Sequence, residues 1–324
     1  MTLPVSLPPG ISVVIPVYNS ENSLEPLLAR LADVLPTLTP RYEVILVNDG
    51  SRDRSWAAIE RLAARYPWVR GVDLMRNYGQ HNALLCGIRL AAYATLVTMD
   101  DDLQHPPEEI GKLLAKLDEG YDVVYGTPRQ EQHGLWRDIA SQVTKYVLQT
   151  AMGAEVARQI SAFRVFRTKL RHAFADYNSP FVSIDVLLTW GTTRFAAVPV
   201  RHDPRTIGVS NYTFRKLVRH TFNMVTGFST LPLQFASLLG FSLTFFGVLV
   251  LVYVVGRALL EGVVVPGFAF TVTIIAIFSG AQLLTLGIIG EYLARMYSRT
   301  MNRPSSVVSQ VIGFGAEEKT HDGE

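Results

Sequence analysis

The sequence predicts an α/β fold: a mainly parallel sheet with helices on both faces, followed by a two-helix transmembrane hairpin. Three observations carry the prediction. Between residues 12 and 125, short apolar runs alternate five times with helical patterns. After residue 230, Leu233–Gly256 and Gly267–Gly290 carry no charge, and each is long enough to cross a bilayer as a helix. Polar clusters stand where the apolar runs end, which is where open α/β sheets bind ligands.

Taken in order, Ser12–Tyr18 is a β-branched run and reads as a buried first strand. A polar turn, Asn19–Ser23, leads into a helix over Leu24–Leu35. The second strand, Tyr42–Val47, ends in Asn48-Asp-Gly-Ser51. Arg52–Tyr66 is helical, with Trp56, Ile59, Leu62 and Ala63 on one face. Strands follow at Val69–Leu74, Thr95–Met99 and Tyr121–Tyr125, with helices over Gly79–Ala92 and Pro107–Glu119. The loops at Tyr18-Asn19, Asp49–Ser51, Arg76-Asn77, Asp100–Gln104 and Gly126–Arg129 should open on one rim. Ile139, Val143, Tyr146 and Val147 mark a further helix. Asn211–Phe228 reads as a basic amphipathic helix, with Phe214, Leu217, Phe222 and Val225 beside Arg215, Lys216 and Arg219.

The boundaries that follow are a soluble domain at 1–210, a juxtamembrane helix at 211–230, the hairpin at 231–292 and a C-terminal segment at 293–324 whose tail is disordered. Basic residues flank the hairpin on both outer sides, Arg215, Lys216 and Arg219 before it and Arg295, Arg299 and Arg303 after it. The positive-inside rule then puts the large domain and both termini in the cytosol. The first ten residues have no basic segment and no long apolar core, so they are not a signal peptide. A net charge of +2 over 324 residues gives no argument for nucleic acid, and the single cysteine, Cys86, fits a reducing compartment.

The densest chemistry lies at Met99–Glu108, where an apolar strand runs into Asp100, Asp101 and Asp102 and then Gln104, His105, Pro106 and Pro107. Alternation along the chain lets Asp100 and Asp102 converge while Asp101 faces elsewhere, which makes Asp101 the most replaceable of the three. Carboxylate oxygens suit Mg²⁺ or Mn²⁺, and such an ion commonly holds a diphosphate. No Walker loop, Gly-x-Gly-x-x-Gly, zinc spacing or Gly-x-Ser-x-Gly elbow occurs. Arg129, Arg137 and Arg205 are candidate phosphate clamps.

At this point the residues resemble a known family. SVVIPVYN (12–19), VNDGS (47–51) and Asp-x-Asp at 100 and 102 followed by LQHPPE form an ordered signature. It is that of family 2 inverting glycosyltransferases with the GT-A fold. RNYGQHNALLCGI (76–88), EGYDVVYGTPRQ (119–130), SAFRVFR (161–167), RTIGVSNYTFRKL (205–217) and GIIGEYLARMY (287–297) narrow it to polyprenyl-phosphate glycosyltransferases. That group includes bactoprenol glucosyltransferases, undecaprenyl-phosphate aminoarabinose transferases and, more distantly, dolichol-phosphate mannose synthases. The resemblance covers roughly residues 11 to 310.

The resemblance implies that Pro16, Tyr18 and Asp49 hold the nucleoside. It assigns Asp100, Asp102 and Gln104 to the metal and donor diphosphate, and Arg129, Arg137, Arg205 and Ser210 to the donor and acceptor phosphates. It implies a nucleotide-sugar donor (UDP in the nearer relatives), a polyprenyl-phosphate acceptor, Mg²⁺ or Mn²⁺, a bacterial plasma membrane and a homo-oligomer, a tetramer in relatives. Three positions depart from the pattern. Tyr-Asn-Glu is Tyr18-Asn19-Ser20, with Glu21 one place late. The aspartate of Gly-Asp-Phe-Arg is Ala162. Ser-Lys-Tyr is Ser210-Asn211-Tyr212, where Arg215 or Lys216 can stand in.

Two other readings compete. A processive polysaccharide synthase shares the fold but usually carries Gln-x-x-Arg-Trp, and no Arg-Trp pair occurs here. A non-catalytic membrane scaffold would explain Ala162, but clustered charge with no ligand is a stability liability.

Overall fold

The computed structural model describes residues 7–128, 159–179, 181–203, 231–261 and 267–314. These form two compact units, one comprising Met1–Val218 with Asn302–Glu324 and the other Arg219–Met301.

The first unit is built on one eight-stranded sheet in the order β7-β5-β6-β4-β1-β2-β3-β8. Its strands are β1 (Ile11–Val17), β2 (Tyr42–Asn48), β3 (Val69–Leu74), β4 (Thr95–Thr98), β5 (Val123–Pro128), β6 (Arg164–Arg167), β7 (Phe195–Val200) and β8 (Val308–Ile312). Strands β1, β2, β3 and β4 are mutually parallel, β6 is antiparallel to both β4 and β5, and β7 runs parallel to β5. Strands β1, β2 and β4 are mostly apolar because helices cover the sheet there. Val13, Val14, Ile15, Val44, Ile45, Leu46 and Val97 are fully buried.

The helices are α1 (Leu24–Leu38), α2 (Ser55–Arg65), α3 (Gln80–Leu90), α4 (Ile110–Asp118) and α5 (Ile184–Thr189). On α1, Leu24, Leu27, Leu28, Leu31 and Leu35 are buried, the i, i+3, i+4, i+7 stripe of an amphipathic helix. Pro107 opens a 3-10 turn, Pro107–Glu109, that feeds α4. The fit is close enough that a Cβ on Gly87 of α3 would meet Val14 Cγ1 at 2.4 Å.

Three strands lie outside the predicted set. Two of them, β6 and β7, complete the sheet beyond β4. The third, β8, falls in the C-terminal segment 293–324, for which no strand was predicted, and there Val311 pairs antiparallel with Val72. It closes the β3 edge, which would otherwise present unpaired ladder groups.

The second unit is a pair of long helices, α6 (Leu231–Glu261) and α7 (Phe268–Thr300). Both are long and apolar enough to cross a membrane. On α6 three hydroxyls are satisfied within the helix: Ser237 donates to Leu233 O, Ser242 to Leu238 O and Thr244 to Gly240 O. Gly247 faces the other helix, where a Cβ would come 3.1 Å from the Phe278 ring, whereas Gly240, Gly280, Gly287 and Gly290 have open space beside them.

Candidate active site

The topology sets the rim. Because β1, β2, β3, β4, β5 and β7 all run the same way, their carboxyl ends meet at one edge. Tyr18, Asp49, Met75, Asp100 and Arg201 lie just beyond these strand ends, and β6 starts there at Arg164. Pro128 ends β5 on this rim. Arg129, Arg137, Arg205, Ser210 and the predicted helices at 138–152 and 211–228 lie outside the described residues.

Pro16 sits near the end of β1. The β1–β4 register stops at Val14–Thr98, and Met99 N donates to Val14 O. Pro16 therefore comes where the β4 side of the ladder needs no further donor. The next residues form a loop that is stitched to the one after β2. Asn19 N donates to Ser51 Oγ at 3.0 Å, Arg52 N to Asn19 Oδ1 at 2.8 Å and Ser20 N to Ser55 Oγ at 2.8 Å. Asn19 takes a positive φ of 55°, which asparagine tolerates. Glu21 accepts from Arg54 N at 3.1 Å, so it ties these two loops together. Tyr18 is 40% exposed at the mouth.

Asp49 is buried, and its carboxylate accepts from Tyr78 N (2.6 Å) and Gly79 N (2.8 Å). Burial raises its pKa, and those two N–H bonds oppose the rise. The group thus fastens the 76–79 turn to the end of β2. Gly50, at φ +62°, leaves room for that turn: a Cβ there would lie 2.5 Å from Arg76 C and Asn77 N.

The acidic loop follows β4. Gln80, at the start of α3, donates to Asp100 Oδ1 at 2.6 Å. Asp102 Oδ1 accepts from Gln104 N at 3.1 Å. Asp101 turns toward the Tyr18–Ser20 loop. Burial pushes its carboxyl up to about 6, the Ser20 hydroxyl opposes this, and the Asp102 charge adds to it. One oxygen of Asp101, Oδ2, is buried without a hydrogen-bond partner. Leu103 holds φ +63°, a conformation rare for a bulky side chain, while packing against the core. Asp203 N donates to Gln104 O at 2.9 Å, which draws the chain two residues before Arg205 alongside this loop.

Beneath the loop lies a buried polar network that the sequence reading did not find. Arg164 is 1% exposed. It donates Nε to Thr98 Oγ1 at 3.0 Å and pairs through Nη1 with Asp185 Oδ1. Tyr125 OH also donates to Asp185 Oδ1, at 3.0 Å. Thr98 Oγ1 in turn donates to Ala162 O at 2.9 Å, so the residue at the family's aspartate position is held at the end of β4. Asp100 and Asp185 both favour the Arg164 charge against burial. His105 is buried, stacked on Phe163 at 5.4 Å and set edge-on to His202 at 5.2 Å. Burial, then His202, depresses its pKa to about 4. Gln80 falls within the RNYGQHN stretch, but its bond to Asp100 is visible only in three dimensions.

Asp100 and Asp102 are half-buried carboxylates at the rim. Among the described residues, no group of three His, Cys, Asp or Glu side chains gathers into a ready cage. Two carboxylates are a donor set that Mg²⁺ commonly takes, completing its shell with substrate phosphate and water.

A sequence profile described as Glycosyl transferase family 2 matches residues 12–177. An undecaprenyl-phosphate 4-deoxy-4-formamido-L-arabinose transferase from Shewanella sediminis (strain HAW-EB3) is 35% identical over 305 residues, 93% of this chain and 92% of that protein. Glucosyl-3-phosphoglycerate synthase from Mycobacterium tuberculosis, solved in complex with phosphoglyceric acid, superposes with a TM-score of 0.50 at 18% identity. The match covers 67% of this chain and 78% of that one, and the likeness is one of fold.

Proposed function

The chain belongs to glycosyl transferase family 2, and from that premise we propose that it transfers a sugar from a UDP-sugar to undecaprenyl phosphate, with inversion at the anomeric carbon. The observation that carries this reading is the acidic loop at the carboxyl end of β4, braced by Gln80 on one side and Asp203 on the other. The relative whose name specifies an undecaprenyl-phosphate acceptor spans nearly the whole chain, which supports the lipid acceptor.

In the proposed reaction a phosphate oxygen of the lipid attacks the anomeric carbon. The bond from that carbon to the diphosphate breaks, and the nucleoside diphosphate leaves. Asp100, Asp102 and Gln104 would hold Mg²⁺ or Mn²⁺, which supplies charge stabilisation to the departing diphosphate. Pro16, Tyr18 and the loops stitched through Asn19 and Glu21 shape the nucleoside side. Asp49 keeps the 76–79 turn in place, and Gln80 with it. Arg129, Arg137, Arg205 and Ser210 orient the acceptor phosphate in line with the anomeric carbon. Ala162 offers no base, and the chemistry needs none: a phosphate monoester has its second pKa near ~6 and is already ionised at neutral pH.

The same proposal covers topology. Strand β3 precedes the hairpin and β8 follows it, yet the two pair in one sheet, so an even number of crossings separates them. With Arg295 and Arg303 on the outer flank, the catalytic unit sits on the cytosolic face. The test is a panel of nucleotide sugars given to the purified full chain with undecaprenyl phosphate and Mg²⁺. Lipid-linked sugar from at least one donor is expected. No product with any donor would favour the scaffold reading.

A further inference from the structure

To share one cation, Asp100 and Asp102 have to stay close together, yet like charges on one short loop push apart. Each is held by a neutral amide. Asp102 Oδ1 accepts from Gln104 N at 3.1 Å, a bond within its own loop. Asp100 Oδ1 accepts from the Gln80 side chain at 2.6 Å, and Gln80 lies 20 positions away on another element. Gln80 is the first residue of α3, and the chain around it has little play. Just ahead of it, Tyr78 N and Gly79 N donate to the two oxygens of the Asp49 carboxylate, at 2.6 and 2.8 Å. Asn77 Nδ2 donates to Asp49 O at 3.0 Å. Just after it, Asn82 Nδ2 donates back to Tyr78 O at 2.7 Å, and His81 Nδ1 accepts from Ile184 N at 3.4 Å. Gly79 takes φ +96°, which residues with a side chain rarely adopt. These bonds fix the backbone on both sides of Gln80, and none of them uses its side-chain amide. The amide therefore reaches Asp100 from a rigid platform.

We propose that Gln80 is a positioning residue for the metal site: its side-chain amide fixes the Asp100 carboxylate in the orientation that receives the cation. The inference rests on the reading above, in which Asp100 and Asp102 hold Mg²⁺ or Mn²⁺. The residue type suits the task. A lysine or arginine would fix the carboxylate too, but it would set a positive charge where the cation has to enter. A glutamate would add one more like charge to a loop that already carries three. A neutral amide donor avoids both. Carboxylates that bind metal are themselves hydrogen-bonded, and loss of such an outer partner weakens metal affinity ~10–100-fold. Gln80 is exposed, so its side chain adds nothing to the core. Its replacement should leave the fold intact, which separates an effect on the ion from an effect on stability.

The test measures Mn²⁺ binding to the full chain in detergent micelles with UDP present, from the loss of the free-ion electron paramagnetic resonance signal. A protein-free control fixes the share of the ion bound by UDP alone. Gln80→Met keeps the length of the side chain and removes the donor. Its dissociation constant for Mn²⁺ is expected to rise ~10-fold or more, with the melting temperature unchanged. Sugar transfer supplies a second readout. The Mn²⁺ concentration that gives half the maximal rate should rise by a similar factor, while kcat at saturating ion stays near the parent's value. An unchanged Mn²⁺ affinity in Gln80→Met would overturn the proposal. A fall in kcat that saturating ion does not restore, together with a lower melting temperature, would overturn it too, by making Gln80 a structural support of the turn. A parent chain that binds no Mn²⁺ refutes the metal site and this proposal together. A parent that binds the ion no more tightly than Gln80→Met does refutes this proposal alone.

Discussion

Replacing Arg164 by methionine would test the buried network under the acidic loop. Arg164 and Asp185 are 1% and 8% exposed, so neither charge has water to fall back on. The single change leaves the Asp185 carboxylate buried without its cation, at a cost of ~3–5 kcal/mol. Asp185→Leu strands the guanidinium at a similar cost and also removes the acceptor of Tyr125 OH, adding ~1–3 kcal/mol. Arg164→Met, Asp185→Leu and Tyr125→Phe together replace the ion pair and its tyrosine with apolar groups and leave Thr98 Oγ1 its bond to Ala162 O, and buried ion pairs exchanged in this way are often neutral. The triple variant should therefore be more stable than either single variant. The assay is urea unfolding of the full chain in detergent micelles, with the coupling read from the mutant cycle. Single variants within ~1 kcal/mol of the parent, or a triple variant as weak as the singles summed, would refute the reasoning.

Three further outcomes follow from the site. Gly50→Ala forces a side chain into φ +62° and against the Arg76 and Asn77 backbone at 2.5 Å, so a loss of ~2–4 kcal/mol in unfolding free energy is expected, along with a raised KM for the nucleotide sugar. Asp102→Asn should lower kcat ~10²-fold or more with an unchanged melting temperature, because charge stabilisation of the leaving diphosphate is lost. Asp101→Ala removes a buried oxygen that has no hydrogen-bond partner, a burden of ~1–3 kcal/mol, together with the favourable Ser20 interaction; the two offset, so stability and transfer should stay near the parent's values in parallel melts and kinetics.

The parts of the fold legible in sequence are those with a one-dimensional signature. Strands β1, β2 and β4 are buried on both faces, so they appear as apolar runs, and α1 shows its stripe. By contrast, β6 is Arg-Val-Phe-Arg, and nothing local marks Arg164 as a core residue, because its counter-charge lies 21 positions away at Asp185. In β7, Pro199 interrupts an otherwise strand-like run. The half-exposed edge strand β8 is identifiable only by its partner, β3. The site divides in the same way. Asp100 to Gln104 announce themselves by charge and by the prolines that follow. For Asp49 the sequence locates the carboxylate but not its aim, which is toward the amides of Tyr78 and Gly79. Similarly, Asp101 was separable from its neighbours by alternation, but its burial against the Ser20 loop was not.

The most direct test of the central claim follows labelled sugar into extractable lipid, using the full chain, an accepted nucleotide sugar and undecaprenyl phosphate. The measurement is made with Mg²⁺, then after chelation, then with the ion restored. The account predicts a lipid-linked sugar of inverted anomeric configuration that forms with the ion, stops on chelation and resumes on its return. Transfer that continues undiminished after chelation, or a product of retained configuration, would contradict it.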